Sequence, residues 1–221
     1  MIIVLCPLKS QRSDRWDWNT HHRHLGFWKD DPELLEKESM YQFMPSTHLA
    51  TKLGPMACSE GHLGILKAII ENDWKGVVIC EDDSIVDYEA LGEFQRKPKP
   101  KGLIYLGGKF EFPKIKDWDK QRSIETYMEG KSNPGFNEIT KDFIMTGTFG
   151  YYISDKSVAQ EMLASSTGTT GKYKSNLTDV MYSKTSVPKH YIYPSVITTL
   201  VGASSIGHAD GIHSWHNYVS S

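Results

Sequence analysis

The chain has 221 residues, with 25 Lys plus Arg against 27 Asp plus Glu and a formal net charge of −2. Its 39% hydrophobic and 24% charged residues describe an ordinary globular chain, which excludes a disordered polymer and a strongly basic nucleic-acid binder. Three cysteines, Cys6, Cys58 and Cys80, are too few for a disulfide framework, and no run approaches the roughly 18 apolar residues that would span a membrane.

The predicted elements alternate along the chain. Residues 2–5 form a short apolar run without a basic flank. It reads as a buried first strand, not a targeting segment, and implies a cytoplasmic chain. Cys6 and Cys80 sit in apolar runs, as buried thiols of a reducing compartment do. His21-His22-Arg23-His24 reads as a solvated segment, because adjacent residues do not converge on one side. A helix is predicted over 32–41, with Pro32 at its first position. A second is predicted over 59–72, where Leu63, Leu66, Ile69 and Ile70 share a face. Strands are predicted over 77–80 and 103–106, the second preceded by a basic, Pro-rich connection at 96–102 between helix and strand. Residues 109–141 read as a long loop or small lobe. A strand over 149–153 leads to a helix over 155–164, capped by Ser154 or Asp155, with Val158, Met162 and Leu163 inward. Residues 165–175 are polar and read as flexible, 191–197 as a last strand, and 202–221 as an aperiodic tail. Alternating strands and helices predict one α/β domain with a mostly parallel sheet.

Chemistry is suggested in three places. The strand at 77–80 runs into Glu81-Asp82-Asp83. Ligands of open α/β sheets bind beyond the carboxyl ends of strands. Glu81 and Asp83, two apart on an extended chain, would face one way and suit Mg²⁺ or Mn²⁺ on a diphosphate. After the first strand, Arg12 and Arg15 could hold an anion. His62 lies near the start of the helix predicted over 59–72, and helix N-termini favour anions. In the tail, His208, His213 and His216 match no zinc signature, though one of them could complete an oxygen-rich site. Residues 168–173 are not a phosphate-binding loop, since the glycine spacing is wrong.

The order of these motifs resembles glycosyltransferase family 25, which includes the lipopolysaccharide and collagen galactosyltransferases. The likeness rests on Asp14-Arg15, on Cys58-Ser59-Glu60-Gly61-His62 (with Gly61 where the family has Ser), and on the strand ending in Glu81-Asp82-Asp83. It continues through Leu103-Ile104-Tyr105-Leu106-Gly107, Gly147-Thr148-Phe149-Gly150-Tyr151-Tyr152, Leu177-Thr178-Asp179-Val180, Tyr193-Pro194-Ser195-Val196 and Ser204-Ser205-Ile206. Small virus-encoded glycosyltransferases, such as those acting on chlorella-virus capsids, look like a related group. The resemblance implies a GT-A fold over residues 1–221, with a nucleotide-sugar half at 1–108 and an acceptor half at 109–221. It implies transfer of a sugar from a UDP donor to a glycan or glycoprotein acceptor, in bacterial or virus-infected host cytoplasm. Mn²⁺ or Mg²⁺ would be held by Asp83, Glu81 and His208, the acids serving as the DxD equivalent. Leu5, Pro7, Leu8, Arg12, Arg15, His62, Glu81 and Asp82 would contact the donor. Asp179 would bind the acceptor or act as base, and Asp83 would serve turnover through the metal. A phosphohydrolase using the same acids, or a non-catalytic sugar- or nucleotide-binding relic, are the alternative readings.

Overall fold

The apolar strand runs send alternate side chains into two cores, one on each face of a sheet. The computed structural model describes residues 1–28, 30–41, 49–111, 122–123, 134–139, 144–174 and 178–199. Its strands are β1 (Ile2–Leu5), β2 (His22–His24), β3 (Val77–Glu81), β4 (Ser84–Val86), β5 (Leu103–Glu111), β6 (Arg122–Ser123), β7 (Gly135–Glu138), β8 (Ile144–Ile153), β9 (Lys189–Tyr193) and β10 (Ile197–Thr199). Its helices are α1 (Pro32–Glu36), α2 (Leu49–Glu71), α3 (Tyr88–Arg96), α4 (Lys156–Ser166) and α5 (Thr178–Ser183).

The main sheet has the order β2-β1-β3-β8-β5-β9-β7, with β6 also paired to β5. β1 runs parallel to β2 and β3, and β9 parallel to β5. β8 is antiparallel to both β3 and β5, so the sheet of this α/β fold is mixed. One core collects Ile3, Leu5, Val77, Ile79, Leu103, Tyr105, Tyr151 and Ile153 against α2, α4 and α5. The other collects Val4, Val78, Cys80, Ile104, Leu106 and Tyr152 against α3 and Ile197 of β10. A strand covered on both faces must be apolar at successive positions, which explains the unbroken runs.

Several elements differ from the sequence expectation. α2 starts at Leu49 and continues through Pro55, although Gly54-Pro55 reads as a helix breaker. Tertiary packing overrides it: Met56 and Ala57, just past the proline, are fully buried in the first core. α1 stops at Glu36 and gives way to a short 3₁₀ turn over Glu38–Met40. The expected solvated segment at 21–24 contains the edge strand β2. His24 packs on α2 so closely that a Cβ at Gly64 would stand 2.7 Å from its Nε2. Arg23 donates to the carbonyls of Cys6 and Pro7 at 3.2 and 3.0 Å. An edge strand tolerates such polar side chains because only one side of its ladder is paired. At 165–175, Tyr173 is anchored, pairing with both Tyr41 and Thr167. Asp155 caps α4 as expected, accepting from the Ser157 and Val158 amides.

The expected strand at 191–197 divides at Pro194, which has no N–H to give to a ladder. The chain then crosses the sheet as β10 and pairs antiparallel with β4. This crossing needs two small residues beneath it. A Cβ on Gly107 would lie 1.7 Å from the Ile197 carbonyl oxygen, and one on Gly150 would lie 2.4 Å from the Ile197 side chain. Because the obstacle at Gly107 is backbone, Gly107→Ala is expected to lower unfolding stability by about 3 kcal/mol in urea titrations. Wild-type stability in that variant would show that β10 does not rest on β5.

Candidate active site

The parallel strands β1 and β3 end side by side, Leu5 opposite Glu81. Beyond them lie the loop carrying Ser10, Arg12 and Arg15 and the tight turn that joins β3 to β4. Ser84 shapes the turn: its Oγ accepts from the Glu81 amide at 3.1 Å and donates to the Phe149 carbonyl. The loop grips the same turn. Trp16 Nε1 and Arg15 Nη1 both donate to the Asp82 carbonyl, at 3.1 and 3.3 Å, and Arg15 Nη2 donates to that of Ser84 at 3.4 Å.

The three acids have three different surroundings. Asp82 is 1% exposed and faces the loop, where Ser10 Oγ donates to its Oδ2 and Arg12 Nη1 stands 3.8 Å from its Oδ1. Asp83 has Arg12 Nη1 at 3.9 Å from its Oδ2, while its Oδ1 is buried without a hydrogen-bond partner. Burial, then the charges of Glu81 and Asp82, push the Asp83 carboxyl up to about 7, against the pull of Arg12. Glu81 faces α2, its Oε1 3.3 Å from His62 Nε2 and 4.0 Å from Cys58 Sγ. Cys58 and His62 share a helix face because they are four residues apart.

The remaining expected site residues fall around this turn in varied ways. Leu5 is buried, packed where a Cβ on Gly61 or Gly26 would meet it at 2.6 or 2.8 Å. That contact accounts for glycine at position 61, where the resemblance expects serine. Pro7 is buried and Leu8 is 73% exposed. Asp179 lies in the first turn of α5, next to Thr178, whose hydroxyl meets Ser59 Oγ at 3.1 Å and Cys58 Sγ at 3.7 Å. Its charge reaches both Cys58 and Tyr105. His62 is wholly buried. His208 lies outside the described residues. Glu60, one residue from the motif's glycine, is engaged elsewhere, by Lys37 Nζ at 2.5 Å and Tyr41 OH at 2.6 Å.

Sequence reasoning missed Ser10 and Ser84, and it quoted Thr178 and Tyr151 in motifs without giving either a role in the site. Tyr151 left a further signal: strand alternation puts it on the same face as Ile153, toward α2.

The donor atoms suit a hard cation better than a soft one. Cys58, His62 and Glu81 bring ligand-type atoms within 4.8 Å of one another. Burial and the Glu81 charge, however, hold the Cys58 thiol well above its ordinary value and so keep it protonated. Carboxylate oxygens of Glu81 and Asp83 are the ligands that Mg²⁺ and Mn²⁺ prefer, and the orphaned Asp83 Oδ1 is a buried acceptor in want of a positive partner.

Acids and guanidinium groups gather at the carboxyl ends of the adjacent strands β1 and β3 of this α/β protein, the end at which open α/β sheets bind their ligands. Residues 28–178, more than half of the chain, match the model of glycosyltransferase family 25 (LPS biosynthesis protein). The chain belongs to glycosyltransferase family 25, and it is a glycosyltransferase enzyme. The match includes Glu81-Asp82-Asp83 and ends at Thr178, one residue before Asp179; the loop with Arg12 and Arg15 precedes it. No curated protein matches the chain. No helix among the described residues is long and apolar enough to cross a membrane.

Proposed function

We propose that the chain transfers a hexose from a UDP-sugar to a glycan or glycoprotein acceptor, with Mn²⁺ or Mg²⁺ as cofactor. One observation carries this reading: the buried, unpartnered Asp83 Oδ1 beside Glu81 at the end of β3. Glu81 and Asp83 would hold the cation, with His208 as a further ligand. When bound, the cation neutralises charge on the departing diphosphate.

The protein's own groups do the rest. Arg12, 19% exposed, would bind a donor phosphate, and Arg15 would fix the turn while facing the same edge. Asp82 shapes the loop by holding Ser10 and Arg12. Leu5, Pro7 and Leu8 would frame the uridine, with Leu8 the most exposed of them. Asp179 would orient the acceptor hydroxyl or take its proton. The donor half would span 1–108 and the acceptor half 109–221, in a cytoplasmic enzyme.

The test is nucleotide release from a panel of sugar nucleotides, with and without Mn²⁺. UDP released from a UDP-sugar only with the cation present is the expected result. Phosphate released from simple phosphoesters, with no preference for a sugar nucleotide, would replace the transferase mechanism by hydrolysis.

A further inference from the structure

We propose that His62 is a positioning residue: it holds Glu81 in the orientation that the divalent cation requires, and Tyr151 holds His62 in turn. The inference rests on the reading that Glu81 and Asp83 bind the cation.

His62 is 0% exposed. Both ring nitrogens are engaged. Nδ1 meets the Tyr151 hydroxyl at 2.7 Å, and Nε2 meets Glu81 Oε1 at 3.3 Å. An ionised carboxylate only accepts, so Nε2 carries the hydrogen. In the neutral ring Nδ1 is then an acceptor, and the Tyr151 hydroxyl must donate to it. The Tyr151 oxygen lies 3.4 Å from the Tyr182 hydroxyl, which can donate to it in turn. With Nε2–H directed at Glu81, the hydrogen bonds run from Tyr182 to Tyr151, from Tyr151 to His62 and from His62 to Glu81.

The ring is also boxed in. Tyr151 and Tyr182 flank it at centroid distances of 5.5 and 6.3 Å, the second edge-on. Both tyrosines are fully buried. Glu81 stands at the last position of β3 with 14% of its side chain exposed. A fixed imidazole against Oε1 holds that carboxylate in a preset orientation, which is what outer groups do for metal-binding carboxylates. It also explains why a polar residue stands at full burial on the apolar face of α2, between Ala57 and Leu63 and Leu66 of the core.

The experiment is Mn²⁺ binding to the substrate-free protein, read from the EPR signal of free Mn²⁺, for wild type, H62A, H62Q and Y151F. Each variant is first checked for a cooperative thermal transition. H62A is expected to bind Mn²⁺ about 10- to 100-fold more weakly. H62Q, whose amide N–H can stand where Nε2–H stood, is expected to recover most of that loss. Y151F should fall between wild type and H62A, because it leaves the ring in place but releases its tautomer. UDP binding without metal should be the same in all four. Wild-type Mn²⁺ affinity in folded H62A, or in Y151F and H62A alike, overturns the positioning role while leaving the metal reading intact. No Mn²⁺ binding by the wild type overturns both.

Discussion

Asp83→Asn is expected to lower turnover by about 10²- to 10³-fold and, at pH 8 without metal, to make the protein more stable. The two effects have one cause. The folded protein pushes the Asp83 carboxyl from its ordinary 3.8 up to about 7, first by burial and then by Glu81 and Asp82. An unfolded chain releases this proton near pH 4. Between roughly pH 4 and 7 the native state therefore binds more protons than the unfolded state, so stability falls as pH rises and the full penalty stands above pH 7. Asparagine carries no charge and escapes the penalty, which is on the order of a few kcal/mol. The stability gain should fade below pH 4, where both forms are neutral. Saturating Mn²⁺ should reverse the ranking by stabilising only the wild type. Thermal melts at pH 3.5 and pH 8, with and without Mn²⁺, check each part. Equal stability of the two proteins at pH 8 would contradict burial and acid repulsion as the origin of the raised carboxyl.

The adjacent substitution should do the opposite to stability. Asp82 is 1% exposed, accepts from Ser10, and faces Arg12. Asp82→Ala removes a buried acceptor from both partners and is expected to cost about 2 to 3 kcal/mol, toward the lower end for a broken buried pair because Arg12 keeps Asp83 nearby. The Asp82 carbonyl would still accept from Trp16 and Arg15, so the turn survives locally. Activity should fall through a displaced Arg12, seen as a raised donor KM more than a lowered kcat. Urea titration and initial-rate kinetics separate the two. A variant as stable as wild type would show that Asp82 does not tie the loop to the turn.

These two neighbours show what the sequence disclosed and what it did not. The run from Val77 into three acids was legible, because a buried strand is apolar throughout and its end is where ligands meet such sheets. The sequence could not divide the acids by role. That division depends on Ser10 and Arg12, about seventy residues away along the chain, turning toward Asp82, and on α2 bringing His62 to Glu81. The same limit applies to the fold. The predicted strand at 77–80 and helix at 155–164 appear within two residues of their bounds, since period and capping are local. The start of α2 was hidden by Gly54-Pro55, and the crossing of β10 over Gly107 and Gly150 left no local trace. A glycine beneath a crossing strand reads as any other glycine until the strand is seen.

The most direct test of a cation-held donor is a thermal shift of the wild type and Asp83→Asn with a nucleotide panel, each with and without Mn²⁺. A ligand bound only by the native state stabilises by RT ln(1 + [L]/Kd), about 2.7 kcal/mol at a hundredfold excess over Kd. UDP is expected to raise the melting temperature of the wild type when Mn²⁺ is present and much less without it, and Asp83→Asn is expected to lose the Mn²⁺-dependent part. A UDP shift that is independent of Mn²⁺, or one that Asp83→Asn retains in full, would contradict the assignment of the β3 acids to a cation-held donor.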